Sequence, residues 1–496
     1  MDISCSSDLE LGRMADKRMM GEVDTNLTRR AFLGRGAAGV GSLALASLLS
    51  EDSLAAVPKP KSLGALGGLH FPAKAKRVIF ICQSGGVSQL ETFDYKPKLV
   101  ELNGKPMPDS LTAGQRLAQI RGQELIVCGS PYKFSRHGQC GAEISELLPF
   151  TGQIADNICI VKSCVSEAIN HDPAVTFLQC GNQQPGRPTM GAWLSYGLGS
   201  ENSDLPAFVV LASGMNQGQN LHTRYWGNGF LPSEHQGVRF RPTSDPVPFV
   251  NNPEGISRDA RRRVLDSIVE INELKRRETF DPEIDARINA YEMAFRMQAS
   301  VPGLMDISDE PEHVLDLYGP EVRQPGSAAS TCLLARRLAE RGVRFVQLYH
   351  RGWDQHGNLP SDLSRQCRQT DQPSAALVQD LKLRGLLDDT LVIWATEFGR
   401  TPMLQGKFQP KNYGRDHHML CFTIWMAGAG IQPGVTVGES DEFGYRPVKD
   451  TAHVHDLHAT WLHLLGIDHE RLTYRLQGRD YRLTDVHGKL LGKVMA

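Results

Sequence analysis

The sequence predicts an α/β fold with a mainly parallel sheet flanked by helices on both faces. The segments 78–82 and 390–395 are almost continuously apolar, and 343–349 is apolar except for Arg344 and Gln347. Such segments are typical of strands buried on both faces of a sheet. Amphipathic, helical stretches separate such segments along the second half of the chain, and strands that alternate with helices form parallel βαβ units. These observations favour a central sheet covered by helices over an all-β or all-helical protein.

Three strands are predicted in the first half of the chain, at the apolar segments 78–82, 157–164 and 206–214. Residues 215–254 are rich in Gly, Asn and Pro and show little periodicity, so they predict a loop-rich insertion over one face of the sheet. The charged, periodic stretch 257–298 predicts a helical segment.

The second half alternates between helix and strand patterns, which is the arrangement that crossover connections between parallel strands require. In chain order, the predicted elements are a helix at 327–341, a strand at 343–349, a helix at 373–386, a strand at 390–395, a strand near 419–427 and a last helix from about residue 456.

Length and charge limit the kind of protein this is. The chain has 496 residues, which is enough for one large domain with insertions or for two ordinary domains. Its apolar fraction of 41% is that of a globular protein. With 54 basic and 56 acidic residues, the charge pattern gives no indication of a nucleic-acid groove or a polybasic membrane patch. We therefore expect one large domain and no nucleic-acid partner.

The N-terminus carries the pattern of an export signal. "TRRAFLG" contains the pair Arg29 and Arg30, an apolar run follows over 37–49, and small residues come next. This order is similar to twin-arginine signals, which direct folded proteins to the twin-arginine export machinery. An amphipathic helix and an uncleaved anchor are the alternatives. We predict a leader over 1–56 and a mature domain over 57–496. That domain is expected in the periplasm, at the cell surface or secreted, without a transmembrane helix.

The cysteines do not form a zinc-knuckle pattern, because no Cys-x-x-Cys pair occurs in the sequence. Cys128 and Cys140 flank a loop, and a disulfide between them is a hypothesis for an oxidising compartment.

Polar, ligand-type residues cluster where the predicted strands end. In open α/β sheets the chemistry lies beyond the carboxyl ends of the strands, so these residues are the candidates for a functional site. The candidates are Gln83, Ser84 and Asp94 after the first strand, Asp354 and His356 after strand 343–349, Glu397 and Arg400 after strand 390–395, Arg415, His417 and His418 before strand 419–427, and His455 near the last helix.

The mixture of carboxylates and imidazoles indicates a site for one or two divalent metal ions, for which we predict zinc or manganese. Taken singly, Asp354 is also a typical turn residue, and His417 or His418 is also a typical surface histidine. Arg400 and Arg415 are candidates for clamping an anionic oxyacid, although either can instead pair with a neighbouring carboxylate.

Five segments in order carry a family resemblance: "GGVSQLETFDYKP", "GWDQHGN", "TEFGRTP", "GRDHH" and "HDLHATWLHLLGIDHERLTY". They resemble the DUF1501 family of secreted bacterial proteins, which is grouped with the alkaline phosphatase and sulfatase superfamily. The resemblance covers roughly residues 65 to 490. It implies an alkaline phosphatase-like fold, a two-metal site and hydrolysis of phosphate or sulfate esters.

The resemblance also assigns roles to single residues. It implies a first metal subsite made by Asp354, His356 and either His417 or His418. The second subsite departs from the pattern, because Gln83 stands where an Asp is expected and Glu397 is followed by Phe398 instead of His. Asp94 and His455 are further metal-ligand candidates. The remaining candidates are Ser84, Ser163 and Ser166 for a nucleophile, and Asn170, His171 and Gln83 for the lining of the substrate pocket.

Two functions follow as hypotheses. The first is an exported metal-dependent hydrolase of phosphate or sulfate esters, acting on a small-molecule or glycan ester, with Glu397 as a ligand or general base and Arg400 or Arg415 on the oxyanion. The second is a non-catalytic envelope or polysaccharide-binding protein on the same fold, which the missing Asp at Gln83 favours. An oxidoreductase is disfavoured, since the sequence has no Gly-x-Gly-x-x-Gly after a strand.

Overall fold

The computed structural model describes residues 64–496 except 115, 215–219, 244, 249, 280–282, 408 and 410–411. The predicted leader over 1–56 and its boundary with the mature domain lie outside the described residues.

The described residues form seventeen strands, which we number in chain order. They are β1 (Arg77–Ser84), β2 (Phe134–His137), β3 (Ala142–Ser145), β4 (Ile158–Val165), β5 (Phe208–Gly214), β6 (Val238–Arg239), β7 (Phe345–Arg351), β8 (Thr390–Ala395), β9 (Gly399–Arg400), β10 (His417–His418), β11 (Phe422–Ala427), β12 (Val435–Val437), β13 (Glu439–Ser440), β14 (Pro447–Lys449), β15 (Ala452–His453), β16 (Tyr474–Leu476) and β17 (Arg479–Tyr481).

Nine of these strands form one central sheet in the order β12-β4-β11-β8-β1-β7-β5-β6, with β15 also paired to β4. All neighbours are parallel except that β11 runs antiparallel to both β4 and β8. The carboxyl ends of the parallel strands therefore share one edge of the sheet, and the start of β11 lies at that same edge. The other strands form two-stranded ribbons: β9 with β10, β13 with β14, β16 with β17 and β2 with β3.

Helices connect the strands. The α-helices in the described part are Gln89–Thr92, Pro97–Glu101, Asp109–Thr112, Pro149–Gln153, His171–Cys180, Met190–Leu198, Arg258–Thr279, Glu283–Met305, Glu312–Tyr318, Ala328–Glu340, Leu359–Leu383 and Val454–Leu464. Short 3-10 helices occur at Ala155–Asn157, Thr223–Trp226, Ser233–His235, Leu387–Asp389 and Gly492–Val494.

The central sheet separates two apolar cores. Along β1, Ile79 and Ile81 face one core, while Val78, Phe80 and Cys82 face the other, as the alternation of side chains along a strand requires. Buried side chains of several helices complete the cores. The first core receives those of Ala328–Glu340 and Leu359–Leu383, and the second receives those of His171–Cys180, Met190–Leu198 and Val454–Leu464.

The predicted fold class is confirmed: a mixed, mostly parallel sheet carries helices on both faces. One helix is much longer than predicted, because Leu359–Leu383 continues through Pro373 instead of starting there. Within the described residues, no helix combines the length and the apolar character needed to cross a membrane.

The hypothesis of a disulfide between Cys128 and Cys140 is wrong for this structure. Both thiols are free, and only one of them is accessible. Cys128 is fully buried, whereas Cys140 is exposed in a turn whose backbone N–H groups donate to Asp156.

Gly85, directly after β1, must remain a glycine for the loops at the carboxyl edge to meet. Its φ is 129°, and a Cβ there would lie 2.5 Å from the backbone nitrogen of Asp354. We expect Gly85→Ala to lower the free energy of unfolding by about 2 kcal/mol or more, because it adds backbone strain and a steric clash. Urea denaturation measures this loss.

Gly68→Ala is the matched control for Gly85→Ala. A Cβ at Gly68 meets no heavy atom within 4 Å, and its φ is not in the left-handed region. The same denaturation midpoint for both variants would contradict the proposed constraint at Gly85.

Candidate metal centre

Four ligand-type side chains meet at the carboxyl edge of the sheet. They are His171, Asp354, His356 and His417, which we call the four-residue group. One ligand atom from each lies within 4.8 Å of the ligand atoms of the others. The sequence-based ligand candidates Asp354, His356 and His417 are thus brought together, and His171, which was expected only to line the pocket, joins them.

The sheet topology explains why these residues meet. His171 begins the helix His171–Cys180 after β4, and Asp354 and His356 follow β7. His417 belongs to β10, just before β11. Because β11 is antiparallel to its neighbours, its first residues lie at the same edge as the last residues of β4 and β7. The site is therefore formed by segments that adjoin three parts of the sheet: the ends of β4 and β7 and the start of β11.

Asp354 lies at the centre of the group. Its Oδ1 is 2.9 Å from Nε2 of His356, 3.1 Å from Nε2 of His171 and 3.4 Å from Nε2 of His417. The guanidinium of Arg400 also contacts this oxygen, at 2.9 Å. The Nε2 atoms of His356 and His417 are themselves only 2.9 Å apart. All three imidazoles thus present the same ring nitrogen to one point.

An acceptor lies behind each imidazole and contacts its other nitrogen. This contact fixes the tautomer, because a carboxylate or carbonyl oxygen accepts a hydrogen bond and donates none. The contacts are His171 Nδ1 with Glu397 Oε1 at 2.8 Å, His356 Nδ1 with Gln405 Oε1 at 2.6 Å, and His417 Nδ1 with the carbonyl oxygen of Ile169 at 2.8 Å.

The proton of each neutral ring therefore sits on Nδ1, and each Nε2 turns a lone pair towards Asp354. Three lone pairs and a carboxylate repel one another unless a cation lies among them. Nε2 of His171 is buried and makes no hydrogen bond, although it lies 3.1 Å from Asp354. Nε2 of His356 has one donor, the Gln119 amide at 3.1 Å. The donors fit a divalent cation, and oriented imidazoles of this kind are typical of metal sites.

Burial and charge set the protonation of the group. Burial opposes ionisation of Asp354, but its close contacts with His171, His356 and His417, with the charge of Arg400, hold its pKa well below the usual range. Burial also lowers the pKa of His417 to about 4, even though Asp354 acts in the opposite direction. For His171, burial is outweighed by Asp354 and Glu397, which raise its pKa. Asp354 is therefore a carboxylate and His417 a neutral imidazole at neutral pH.

Glu397 lies behind His171 and does not face the open side of the group. It is fully buried, and its Oε1 accepts hydrogen bonds from Nδ1 of His171 and from the Gly85 N–H at 2.9 Å. The Thr396 hydroxyl donates to its other oxygen. Burial disfavours its charge, but the contacts with His171 outweigh burial and lower the pKa of Glu397. Carboxylates in this position, behind an imidazole, commonly orient the ring at metal sites.

The two arginines expected on an oxyanion are both committed elsewhere, which corrects that expectation. Arg400 is fully buried, and its guanidinium contacts Asp354 and four backbone carbonyls. Arg415 is also fully buried and pairs with Glu91, with Nη2 at 2.6 Å from Oε1. It further donates to the carbonyls of Thr401 and Cys128. Neither guanidinium has a free edge for a substrate.

Three other ligand candidates lie apart from the four-residue group, and these placements correct the prediction. His418 points away from His417, stacks on Tyr445 and contacts the Tyr445 carbonyl oxygen through Nε2 at 2.6 Å. Asp94 pairs with Lys96 and accepts a hydrogen bond from Ser440. His455 contacts the carbonyl of Gly181 and belongs to a different cluster.

The pocket and nucleophile candidates are also placed. Gln83 is fully buried, and its Oε1 accepts a hydrogen bond from the Trp353 indole at 2.9 Å. Ser84 is buried with its hydroxyl 3.7 Å from the Cys82 sulfur. Asn170 is exposed and precedes the helix that His171 begins, without a side-chain capping bond.

Sequence reasoning missed the supporting residues Gln405, Gln119 and Ile169. Gln405 and Gln119 are linked by a hydrogen bond of 2.9 Å although 286 positions separate them. Ile169 acts through its backbone carbonyl. No motif or spacing signals such contacts, since the side chain of Ile169 has no part in its role.

Comparison with known proteins gives one family and several distant structures. A family model described as "Protein of unknown function (DUF1501)" matches residues 75–495. No curated protein matches the sequence. A solved protein in the alkaline phosphatase superfamily from Vibrio parahaemolyticus is similar at 12% identity, over 81% of this chain and 68% of that chain, with a TM-score of 0.36.

Two further structures are similar at the same level. A sulfatase from Pseudoalteromonas sp. has 11% identity over 82% of this chain and 69% of that chain, with a TM-score of 0.33. An alkaline phosphatase from the Antarctic bacterium TAB5 has 11% identity over 73% of this chain and 94% of that chain, with a TM-score of 0.30. At such identities and TM-scores these similarities carry no information about activity. The family model, in contrast, spans nearly all of the described chain, and the protein therefore belongs to the DUF1501 family.

Proposed function

We propose that this protein is an exported, metal-dependent hydrolase of phosphate or sulfate esters, and that the four-residue group holds one divalent ion. The observation that carries the proposal is the convergence of three Nε2 lone pairs on Asp354, with each imidazole fixed from behind by an acceptor. The ester class comes from the family resemblance, which implies hydrolysis of small-molecule or glycan esters. The export route rests on the twin-arginine pattern of the leader.

The ligand set favours zinc over manganese. Three imidazole nitrogens and one carboxylate oxygen make a nitrogen-rich set of four, which suits zinc, whereas manganese prefers sites richer in oxygen. An ion held by His171, Asp354, His356 and His417 would supply a Lewis acid for an ester oxygen.

One side of the group is open to solvent. The side chains of Asp354 and His356 are each 21% exposed, and that of His171 is 18% exposed. His417 is nearly buried and closes the opposite side. A substrate can therefore approach from the side of His171 and His356, where the Gln119 amide also lies.

The positions of the three candidate nucleophiles, Ser84, Ser163 and Ser166, favour direct attack by water over a covalent enzyme intermediate. Ser84 and Ser166 are buried, and Ser163 donates to the carbonyl of Asp450 at 2.6 Å. No hydrogen bond joins any of these three serines to the four-residue group in the part of the chain that the structure describes. Glu397, enclosed behind His171, would act as a positioning residue and not as a general base.

One observation favours the second function, a non-catalytic envelope or polysaccharide-binding protein. The family resemblance implies an Asp of a second metal subsite at position 83, but Gln83 is buried and bonded to Trp353. A protein with only one of two subsites could bind an ester or a glycan without cleaving it. The experiment below separates the two functions.

After weakly bound metal is removed, we expect the wild type to retain about one tightly bound zinc per chain. The double variant Asp354→Ala/His356→Ala should lose this tightly bound zinc, because two of its four ligands are removed. Elemental mass spectrometry and hydrolysis of chromogenic phosphate and sulfate esters are measured on the same samples. His313→Ala, which removes an exposed imidazole outside the four-residue group, is the control. Turnover that disappears together with zinc supports the hydrolase.

Two results would contradict the hydrolase. A wild type that holds zinc but cleaves none of a broad ester panel, while it is retained on a glycan column, would favour the binding protein. A wild type without metal, whose melting curve equals that of the double variant, would remove the metal site altogether.

Glu397→Gln tests the support behind His171. The amide keeps an acceptor for Nδ1 of His171 but loses the negative charge, so we expect zinc affinity to fall by about 10- to 100-fold. Competition with a chelator of known affinity measures the change. Glu442→Gln, at an exposed position, is the control. Unchanged affinity in Glu397→Gln would mean that the carboxylate does not support the ligand.

A further inference from the structure

A second cluster of ligand-type side chains lies at the same edge of the sheet. It consists of Glu167, His453 and His455, and one ligand atom from each lies within 4.8 Å of the others. We call it the Glu167 cluster. Glu167 follows the end of β4, and His453 ends β15, which pairs with β4 in the register His453 with Val165. His455 lies in the first turn of the helix Val454–Leu464.

His455 shows the same signature as the imidazoles of the four-residue group. Its Nε2 lies 2.8 Å from the carbonyl oxygen of Gly181, which can only accept, so the proton of the neutral ring sits on Nε2. Nδ1 then carries a lone pair, and this atom is buried without a hydrogen-bond partner. The residue is only 3% exposed, and its ring stacks on His487. A buried polar atom without a partner in a native fold needs an explanation.

The other two members leave the cluster open to solvent. Nε2 of His453 lies 3.4 Å from Oε1 of Glu167, and these side chains are 27% and 45% exposed. The rings of His453 and His455 have their centroids 5.1 Å apart. An ion can therefore enter from solvent and reach the buried Nδ1 of His455.

We propose that Glu167, His453 and His455 bind a second borderline divalent cation, for which zinc is the natural candidate. Two imidazoles and one carboxylate are a ligand set that zinc uses, and three ligands leave coordination positions for water or a small ligand. The site is separate from the four-residue group and shares no ligand with it. The inference does not rest on the proposed function, since it holds for a hydrolase and for a binding protein.

Zinc binding to the Glu167 cluster would break a helix-capping hydrogen bond, which lowers the affinity of the cluster for zinc. Nδ1 of His453 accepts the backbone N–H of His455 at 3.3 Å and so caps the helix Val454–Leu464. Binding through Nε2 moves the ring proton to Nδ1 and breaks this bond. The helix start keeps its second capping contact, in which Asp456 accepts the N–H of His453 at 3.2 Å. With three ligands and a lost cap, this site should bind zinc more weakly than the four-residue group.

The two sites are connected through a short loop. Glu167 precedes His171 by four positions in the sequence, and between them lies Ile169, whose carbonyl oxygen contacts Nδ1 of His417. A cation on Glu167 would therefore restrain the loop that supplies a ligand and a supporting carbonyl to the four-residue group.

The test is a zinc titration of the metal-free full chain in competition with a chromophoric chelator. His453→Asn keeps an acceptor that can cap the helix but removes the imidazole. Glu167→Gln removes the carboxylate charge without changing the size of the side chain. We expect two equivalents of zinc in the wild type and in His313→Ala, one bound more tightly than the other. Each of the two cluster variants should lose only the weaker equivalent, or bind it at least about tenfold more weakly.

The double variant Asp354→Ala/His356→Ala tests the Glu167 cluster separately from the four-residue group on which the proposed function depends. The double variant should lose the tighter equivalent and keep the weaker one. Circular dichroism confirms that His453→Asn and Glu167→Gln remain folded. A wild type that binds only one equivalent, or a weaker equivalent that persists unchanged in both cluster variants, would overturn the second site whatever happens at the first.

Discussion

The site depends on one buried guanidinium, that of Arg400. Its nitrogens donate to the carbonyls of Gly85 and Gly86 after β1, to that of Trp353 after β7, and to that of Arg415 before β10. The remaining contact is the ion pair with Asp354. A buried charge without hydrogen-bond partners has a high free energy. Displacement of any of these loops would remove partners from the buried guanidinium of Arg400 and is therefore unfavourable. Arg400 therefore holds these loops in fixed positions at the carboxyl edge of the sheet.

A chain of hydrogen bonds leads from Arg400 to the imidazole of His171 and fixes the residues along it. Gly85, which contributes a carbonyl to Arg400, also donates its N–H to Glu397. Glu397 in turn accepts from His171, whose other nitrogen faces Asp354. The loop after β1 supplies no member of the four-residue group, yet through Glu397 it fixes the orientation of the His171 ring. Orientation of this kind reduces the reorganisation that metal binding or catalysis requires.

Sequence patterns could predict the strands and the gathering of Asp354, His356 and His417, because continuous apolar runs and strand-end positions follow from local rules. They could not choose between His417 and His418. Successive residues of a strand face opposite sides, and the structure places His418 against the distant Tyr445 and His417 towards Asp354. The sequence could not show that Arg400 and Arg415 are already bonded, because most of their partners are backbone carbonyls of remote loops, and any residue type has such a carbonyl. Pro373 was read as a helix boundary, although the buried helix continues through it.

The charge balance at the site links the proposed metal to the proposed class of substrate. Asp354 and Glu397 are carboxylates, and Arg400 is the one guanidinium that contacts either of them within the described residues. With the three imidazoles in the neutral form that binds a metal, the net charge is negative, and both of the arginines that could have attracted an anion are enclosed. A phosphate or sulfate ester would be repelled by such a site, whereas a divalent cation reverses the sign of its charge. On this fold, binding of an anionic ester therefore presupposes the metal, and an activity that survives complete metal removal would have to arise elsewhere on the protein.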